Sequence, residues 1–375
     1  MDKENKKKPV VFFVSTGLGR INRGYESFTR ECFEAIKDSD KFELWLAKGG
    51  GKRTGKEIVV FNVHRNSAAA KFIGRSLNRS AYIVEQLSFL LCMIPLIIKK
   101  KPSLIYYSDF AVGSYLWHLR RFIKFKYRLL FANGAPNGPP YKTEDHVQQL
   151  LPVFYSIGIK SDGDAGKHTM LPYAFNINVA ERKAAINDKH KIRNKLGFLP
   201  SQKLVLSVGA VNAYHKRMDH IINELALLNA DYFLIILGQF DEETEDLIKL
   251  AESKLFGRYL IANIPHDEME NYYVAADYFA LASLHEGFPR VTIEALSYGL
   301  PCIVHDYVIN SQVLQQYGIY IDMRFEGNLS GYLCKEADHV FNKADLVNAA
   351  YRVYSWDVLK DRYTDMISQQ VTHKN

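Results

Sequence analysis

Cysteine is scarce in this 375-residue chain: Cys32, Cys92, Cys302 and Cys334 lie far apart and form no CxxC pair. Such spacing excludes a disulfide framework and a structural zinc site, and it suits a reducing compartment. A G-x-G-x-x-G with a suitably placed acidic residue is also missing, so no dinucleotide cofactor is expected. Long apolar runs are lacking too. The most hydrophobic stretch, residues 83–98, spans 16 positions and is interrupted early by Glu85 and Gln86. A bilayer span needs about 20. The stretch therefore reads as a buried or interfacial helix, bent at Pro95 and closed by Lys99, Lys100 and Lys101, cations that suit a helix C-terminus. The basic amino terminus runs into a short apolar segment that reads as a strand, not a secretory signal, and a cytoplasmic location is expected. The lone D-x-D, Asp162-Gly163-Asp164, sits among turn-forming residues, and no metal is expected there.

Charge is present but unevenly placed. Residues 1–180 hold 28 Lys and Arg against 15 Asp and Glu, whereas the remainder holds 20 against 26, giving +7 overall. One half is thus expected to meet an anionic partner. The runs Lys6-Lys7-Lys8, Lys99-Lys100-Lys101 and Arg120-Arg121 with Lys124, Lys126 and Arg128 supply the charge. Taken singly, each run equally serves solubility. Taken together they suit an anionic membrane surface, because acidic lipid attracts clustered cations. Nucleic acid is not expected: no recognised module is present, and aromatic residues are not interleaved with the basic ones.

Short apolar strands alternate with longer helical stretches, the pattern of parallel α/β sheets. Strands are expected at 10–16, 42–47, 103–109, 128–134 and, more weakly, 152–158. They resume at 203–209, 232–238, 258–264, 278–283 and 301–306. The length favours two domains. The polar stretch between Pro172 and Leu204 marks the boundary, and 355–367 reads as an amphipathic helix.

The chemistry concentrates in LHEGFPRVTIEALSYGLPCIVHD, residues 284–306. Here Glu286 and Glu294, with seven residues between them, flank a Gly287-Phe288-Pro289 turn that opens a helix. Free N–H groups and the helix dipole at such a turn suit a phosphate. The carboxylates would repel a phosphate and are suited to hydroxyls on either side of it. A diphosphate between two hydroxyl-rich rings is a nucleotide sugar. Upstream, Lys216 and Arg217 precede a helix, where two cations oppose the dipole unless an anion sits beside them. Gly17, Gly19 and Gly24 follow the first strand, where glycine lets backbone approach a ligand.

The string from Ser283 through Glu286, Glu294 and Gly299-Leu300-Pro301 resembles the signature of the retaining family-4 glycosyltransferases. The resemblance is strong from Ser207 to Asp306 and at the Trp356 helix, and weaker before residue 180. It implies the GT-B architecture: two Rossmann-like domains with parallel sheets facing a cleft. Residues 1–185 would form the acceptor side, residues 186–355 the donor side, and the last helix, 356–375, would cross back. It implies sugar transfer from a UDP- or GDP-sugar to a hydroxyl of a glycan or lipid-linked acceptor, as in surface polysaccharide assembly, with no cofactor beyond the co-substrate. By the same resemblance Lys216 and Glu286 are catalytic, Glu294 holds ribose, the 287–289 turn meets the diphosphate, Ile264 lies at the base-binding loop, and Gly19 borders the donor. Two positions depart from the family. Ala210 stands where a diphosphate-binding arginine is expected, leaving Arg217 as its substitute. Asn133 stands where many relatives carry a histidine near the transferring sugar, leaving Asn133 itself, His118 or His146 on the acceptor side. A sugar-nucleotide epimerase or hydrolase of the same fold, and a non-catalytic binding subunit, are the rival readings.

Overall fold

The alternation of apolar and helical stretches becomes a parallel sheet in each half of the chain. The computed structural model describes residues 8–21, 24–134, 138–335 and 341–372; Lys6 and Lys7 of the first basic run lie outside them. The chain forms two units, Met1–Asn176 with Trp356–Asn375, and Ile177–Ser355.

In the first unit, β1 (Val10–Ser15), β2 (Glu43–Lys48), β3 (Glu57–Val59), β4 (Leu104–Tyr107), β5 (Arg128–Asn133), β6 (His146–Gln149) and β7 (His168–Met170) pair in the order β3-β2-β1-β4-β5-β6-β7. Between them run α1 (Gly24–Ile36), α2 (Ala68–Ser76), α3 (Ala81–Lys100), α4 (Phe110–Leu119) and α5 (Pro152–Asp162). Ser67 and Ser80 cap α2 and α3 through hydroxyls that accept from Ala70 N and Ile83 N, each cap contributing about 1 kcal/mol. One core packs Phe12 and Val14 of β1, Phe89, Met93 and Ile97 of α3, and Val112 and Leu116 of α4. The helix Trp356–Thr372 serves this unit as well. Trp356 N donates to Phe175 O at 3.0 Å, and Trp356 and Tyr363 lie 6.1 and 5.7 Å from the buried Phe28 ring.

The second unit pairs β8 (Lys203–Val208), β9 (Tyr232–Leu237), β10 (Tyr259–Ala262), β11 (Tyr278–Leu281), β12 (Cys302–His305) and β13 (Gly318–Ile321) in the order β10-β9-β8-β11-β12-β13. Its helices include α6 (Val179–Asn187), α7 (Lys189–Leu196), α8 (Met218–Ala226), α9 (Thr244–Leu255), α10 (Met269–Ala275) and α11 (Arg290–Ser297). A buried-edge lock closes its start: Asp277 accepts from Lys189 Nζ at 2.7 Å and from Arg193, and also takes Leu204 N at 2.8 Å.

The expected strand at 152–158 is a helix instead. Leu151 is extended, Pro152 begins α5, and Gly163 ends it at φ +69°. Proline at the first turn loses nothing, since that N–H has no partner within a helix. The strand at this place is the preceding His146–Gln149, whose polar residues conceal it. All four positions are buried. Gln148 accepts from Tyr106 and donates to Leu171 O at 2.7 Å and Tyr363 Oη at 2.8 Å. Polar side chains can enter a sheet interior when partnered in this way.

In both sheets the strand order reverses at the first strand, between β1 and β4 and between β8 and β11. Ligands of open parallel sheets bind beyond the carboxyl ends of the strands that flank such a reversal. The topology therefore directs attention to the loops after Ser15 and Tyr107, and to those after Val208 and Leu281.

Candidate active site

The loop after β8 is built to present a lysine. Gly209 ends the strand, and neighbouring Gly238 is glycine by necessity: a Cβ there would stand 1.7 Å from Gly209 O. Asn212 Oδ1 then accepts His215 N and Lys216 N at 3.2 and 2.9 Å, while Asn212 Nδ2 donates to Asp241 at 2.9 Å. Glu243 takes Ala213 N and Tyr214 N at 2.7 and 3.1 Å. Arg217 turns into the left-handed region at φ +51° and opens α8. Its guanidinium donates to Met323 O at 2.5 Å, so this cation braces the turn from within.

Lys216 lays its aliphatic stem beside Gly209 and ends 2.5 Å from Glu286 Oε1, with the two side chains only 14% and 8% exposed. Glu286 belongs to the loop between β11 and α11. Three residues before it, Ser283 is buried, and its hydroxyl finds no hydrogen-bond partner among the described residues. Phe288 anchors the turn by burying its ring 6.2 Å from Tyr354. Pro289 precedes α11 without a side-chain cap, and no acidic residue occupies the first turn. The positive end of this helix thus faces the loop uncompensated.

Glu294 lies on α11, accepting from Tyr273 Oη at 3.0 Å with Arg290 Nε 4.0 Å away. Burial, then the nearby Glu294 charge, push the Tyr273 phenol well up, so it stays a donor. Tyr273 stacks on Tyr298 at 5.3 Å, and Arg182 caps the Tyr298 ring at 3.8 Å. Ile264 follows β10, a strand at the sheet's edge, and is half-buried.

In the first unit Gly19 stands at φ +89°, where a Cβ would meet Gly50 O at 2.3 Å. The sequence Gly49-Gly50-Gly51 after β2 supplies that close approach. Asn133 closes β5 at its carboxyl end, buried, donating to Tyr141 Oη and Gln149 Oε1, both at 2.9 Å. His146 opens β6 at the strand's other end, buried, with Nε2 2.8 Å from Thr169 Oγ1. His118 is exposed on α4. Sequence reasoning missed Asp109, a buried carboxylate beyond β4 that accepts from Thr16 at 3.1 Å, Tyr25 at 2.6 Å and Tyr82 at 2.5 Å. Its only signal was an acidic residue directly after an apolar strand. Asp162 and Asp164 build a turn: Asp162 pairs with Lys167 at 3.0 Å, and Asp164 accepts from Gly166 N at 2.8 Å.

The loop that carries Lys216, the loop that carries Glu286, and helix α11 all fall within residues 188–344, which match the family described as Glycosyl transferases group 1. The second unit is a group 1 glycosyl transferase domain. Over 164 residues the chain is 27% identical to N-acetylgalactosamine-N,N'-diacetylbacillosaminyl-diphospho-undecaprenol 4-alpha-N-acetylgalactosaminyltransferase of Campylobacter jejuni, an alignment covering 42% of this chain and 44% of that one. Matches of this kind span less than half the length of the curated relatives concerned. Similarity of fold extends further than the group 1 domain. Sucrose-phosphate synthase from Thermosynechococcus elongatus superposes with a TM-score of 0.76 at 15% identity, covering 96% of this chain and 99% of that one. HepE from Anabaena in complex with UDP-glucose gives 0.71 at 14% identity, with 96% and 99% covered. The two parallel α/β units are those of the GT-B fold.

Proposed function

We propose that this protein is a retaining glycosyltransferase that moves a sugar from a nucleotide diphosphate sugar to a hydroxyl of a glycan or lipid-linked acceptor. The observation that carries the reading is the Lys216–Glu286 pair, a cation and a hydroxyl-accepting carboxylate held together at the carboxyl edge of the second sheet, at its topological switch. The names of the relatives support the donor and acceptor classes: one of the similar structures holds UDP-glucose, and one relative is named for a diphospho-undecaprenol substrate.

On this reading the donor separates the pair. Lys216 turns to the diphosphate, assisted by the uncapped amino end of α11, and Glu286 accepts from hydroxyls of the sugar. Glu294, oriented by Tyr273, accepts from the ribose. Arg217 keeps its bond to Met323 and holds the turn. The bond from the anomeric carbon to the phosphate oxygen breaks, and the bond to the acceptor oxygen forms on the same face. The acceptor proton passes to the departing phosphate oxygen, so the protein contributes position and charge stabilisation. The first unit takes the acceptor, with Asn133 at the carboxyl end of β5, while Gly19 in the loop after β1 borders the donor. No metal enters this scheme.

The test is product analysis with radiolabelled UDP- and GDP-sugars and a lipid-linked acceptor extract. Transfer of label with the donor's anomeric configuration supports the proposal. A labelled epimer, or free sugar irrespective of acceptor, would replace it with an epimerase or hydrolase. No turnover of any donor by a folded protein would leave a binding subunit.

A further inference from the structure

One face of the first sheet is covered by α3 and α4, whose inner sides form the core with β1, β4 and β5, and α2 packs against α3. The outer side of this layer is unusual in two ways at once. It exposes large apolar side chains: Phe72 at 72%, Leu77 at 63%, Leu91 at 66%, Ile98 at 50% and Phe122 at 83%. It also exposes cations and no carboxylate. Residues 61–127 contain eleven Lys and Arg but only two acidic residues, Glu85 and Asp109. Both acids point inward: Glu85 is fully buried and bonded to Arg65, and Asp109 is 6% exposed under three hydroxyls. Lys71, Arg75, Arg79, Lys99, Arg121 and Lys124 are exposed. Two nearby carboxylates are engaged, Glu43 of β2 by Trp45 and Asp145, just before β6, by Arg120.

Solubility alone does not account for this combination. A soluble face mixes charges of both signs and keeps aromatic residues covered, whereas apolar anchors ringed by cations match the interface of an acidic bilayer. The helix α3 sharpens the assignment. The 16-residue apolar run reads as short for a span, but the helix extends it to 20 residues, Ala81–Lys100, long and apolar enough to cross a membrane. Yet Phe89, Met93 and Ile97 are its fully buried side and roof the sheet. Withdrawing it into a bilayer would strip the core and the Glu85–Arg65 pair. The helix therefore offers its outer side to lipid while remaining part of the unit.

We infer that the outer surface of α2, α3 and α4, continued by the Arg120–Lys126 turn, docks the protein on an anionic lipid bilayer in a monotopic manner. Phe72, Leu91 and Phe122 enter the acyl boundary, and the surrounding cations pair with lipid phosphates. The inference stands apart from the proposed transfer reaction, since it uses none of the residues assigned to donor or acceptor.

The test is flotation of the full chain with vesicles of phosphatidylcholine alone and of phosphatidylcholine with phosphatidylglycerol. Binding to the anionic vesicles at least tenfold tighter than to the neutral ones, and weakened by salt, is expected. Joint Lys71→Ala, Arg75→Ala and Arg79→Ala substitution is expected to weaken it about a hundredfold, at about fivefold per cation. Phe72→Ser with Phe122→Ser is expected to weaken it at least about tenfold, with the thermal melt unchanged because both rings are exposed. Equal binding to both vesicle types, binding to neither, or unchanged binding in these variants overturns the inference. So does a dimer in sedimentation that the Phe72→Ser and Phe122→Ser pair dissolves while vesicle binding persists. Sugar transfer to a soluble acceptor is measured without vesicles, so the two proposals fail separately.

Discussion

Lys216 and Glu286 are 70 positions apart in sequence and 2.5 Å apart in space, Nζ to Oε1. Their side chains are 14% and 8% exposed, so each ion has given up most of its water for the other. A pair desolvated to this degree contributes little net stability, but it is costly to break on one side only. That asymmetry makes the pair a switchable element: a ligand carrying an anion for the lysine and hydroxyls for the carboxylate can separate it without stranding either charge.

Lys216→Met is expected to destabilise the second unit by about 2 kcal/mol, because Glu286 is left without its cation. The double variant Lys216→Met with Glu286→Gln should recover part of this, giving a coupling of about 1–3 kcal/mol in a urea-unfolding cycle. Strictly additive costs would show that the two side chains do not interact. Each single variant is also expected to lower transferase turnover at least about a hundredfold.

Tyr273→Phe removes the hydroxyl that orients Glu294 at 3.0 Å and keeps the ring stacked on Tyr298. The expected outcome is a KM for the nucleotide sugar raised about threefold to tenfold, the equivalent of one hydrogen bond, with kcat within about twofold. A fall in kcat at constant KM would place Glu294 at the reacting sugar instead of the ribose.

Gly19→Ala places a Cβ 2.3 Å from Gly50 O on backbone at φ +89°. Backbone cannot yield as a flexible side chain does, so the first unit is expected to lose about 2 kcal/mol or more. Gly55→Ala is the control: its φ of +53° is also positive, but a Cβ there meets nothing within 4 Å. Thermal melts of the two variants check the difference. Equal losses would mean that φ alone, and not the approach to Gly50, accounts for the glycine.

Asp277 makes acid stability measurable. Burial by itself would raise its pKa, but the Lys189 ammonium and the Arg193 guanidinium outweigh burial and lower it. The unfolded chain then binds the proton at higher pH than the folded one, and protonation favours unfolding. The contribution is fully present above the unfolded carboxyl value of about 3.9 and is lost as pH falls through the lower folded value. Urea midpoints between about pH 5 and pH 2 are expected to fall more gently in Asp277→Asn than in the parent, from a lower starting stability. Parallel curves would remove Asp277 from the acid response.

Much of the second unit could be read directly. The runs 203–209, 232–238, 278–283 and 301–306 are buried parallel strands, and such strands announce themselves as unbroken apolar segments. The first unit was less legible where polarity and burial part company. His146–Gln149 reads as solvent-facing, yet it is an interior strand, because Tyr106, Leu171, Tyr363, His168 and Asn133 supply partners for its amides. The apolar 152–158 segment next to it has the composition of a strand but folds as α5. Asp109 escaped notice for the same reason: its three hydroxyl partners come from positions 16, 25 and 82.

By itself, the sequence determined what depends on neighbours along the chain. Those features are the period of the apolar runs, the serine caps of α2 and α3, the Gly-Phe-Pro turn between two glutamates, and the basic first half. These are local because backbone geometry and turn chemistry act over a few residues. Tertiary structure alone decided which charges and amides go without water. It joined Lys216 to Glu286, turned Arg217 inward to Met323, and sent both acids of residues 61–127 to the inside while leaving the cations out. The cost of burying a polar group is set by the partner it meets, and that partner is brought to it only by folding.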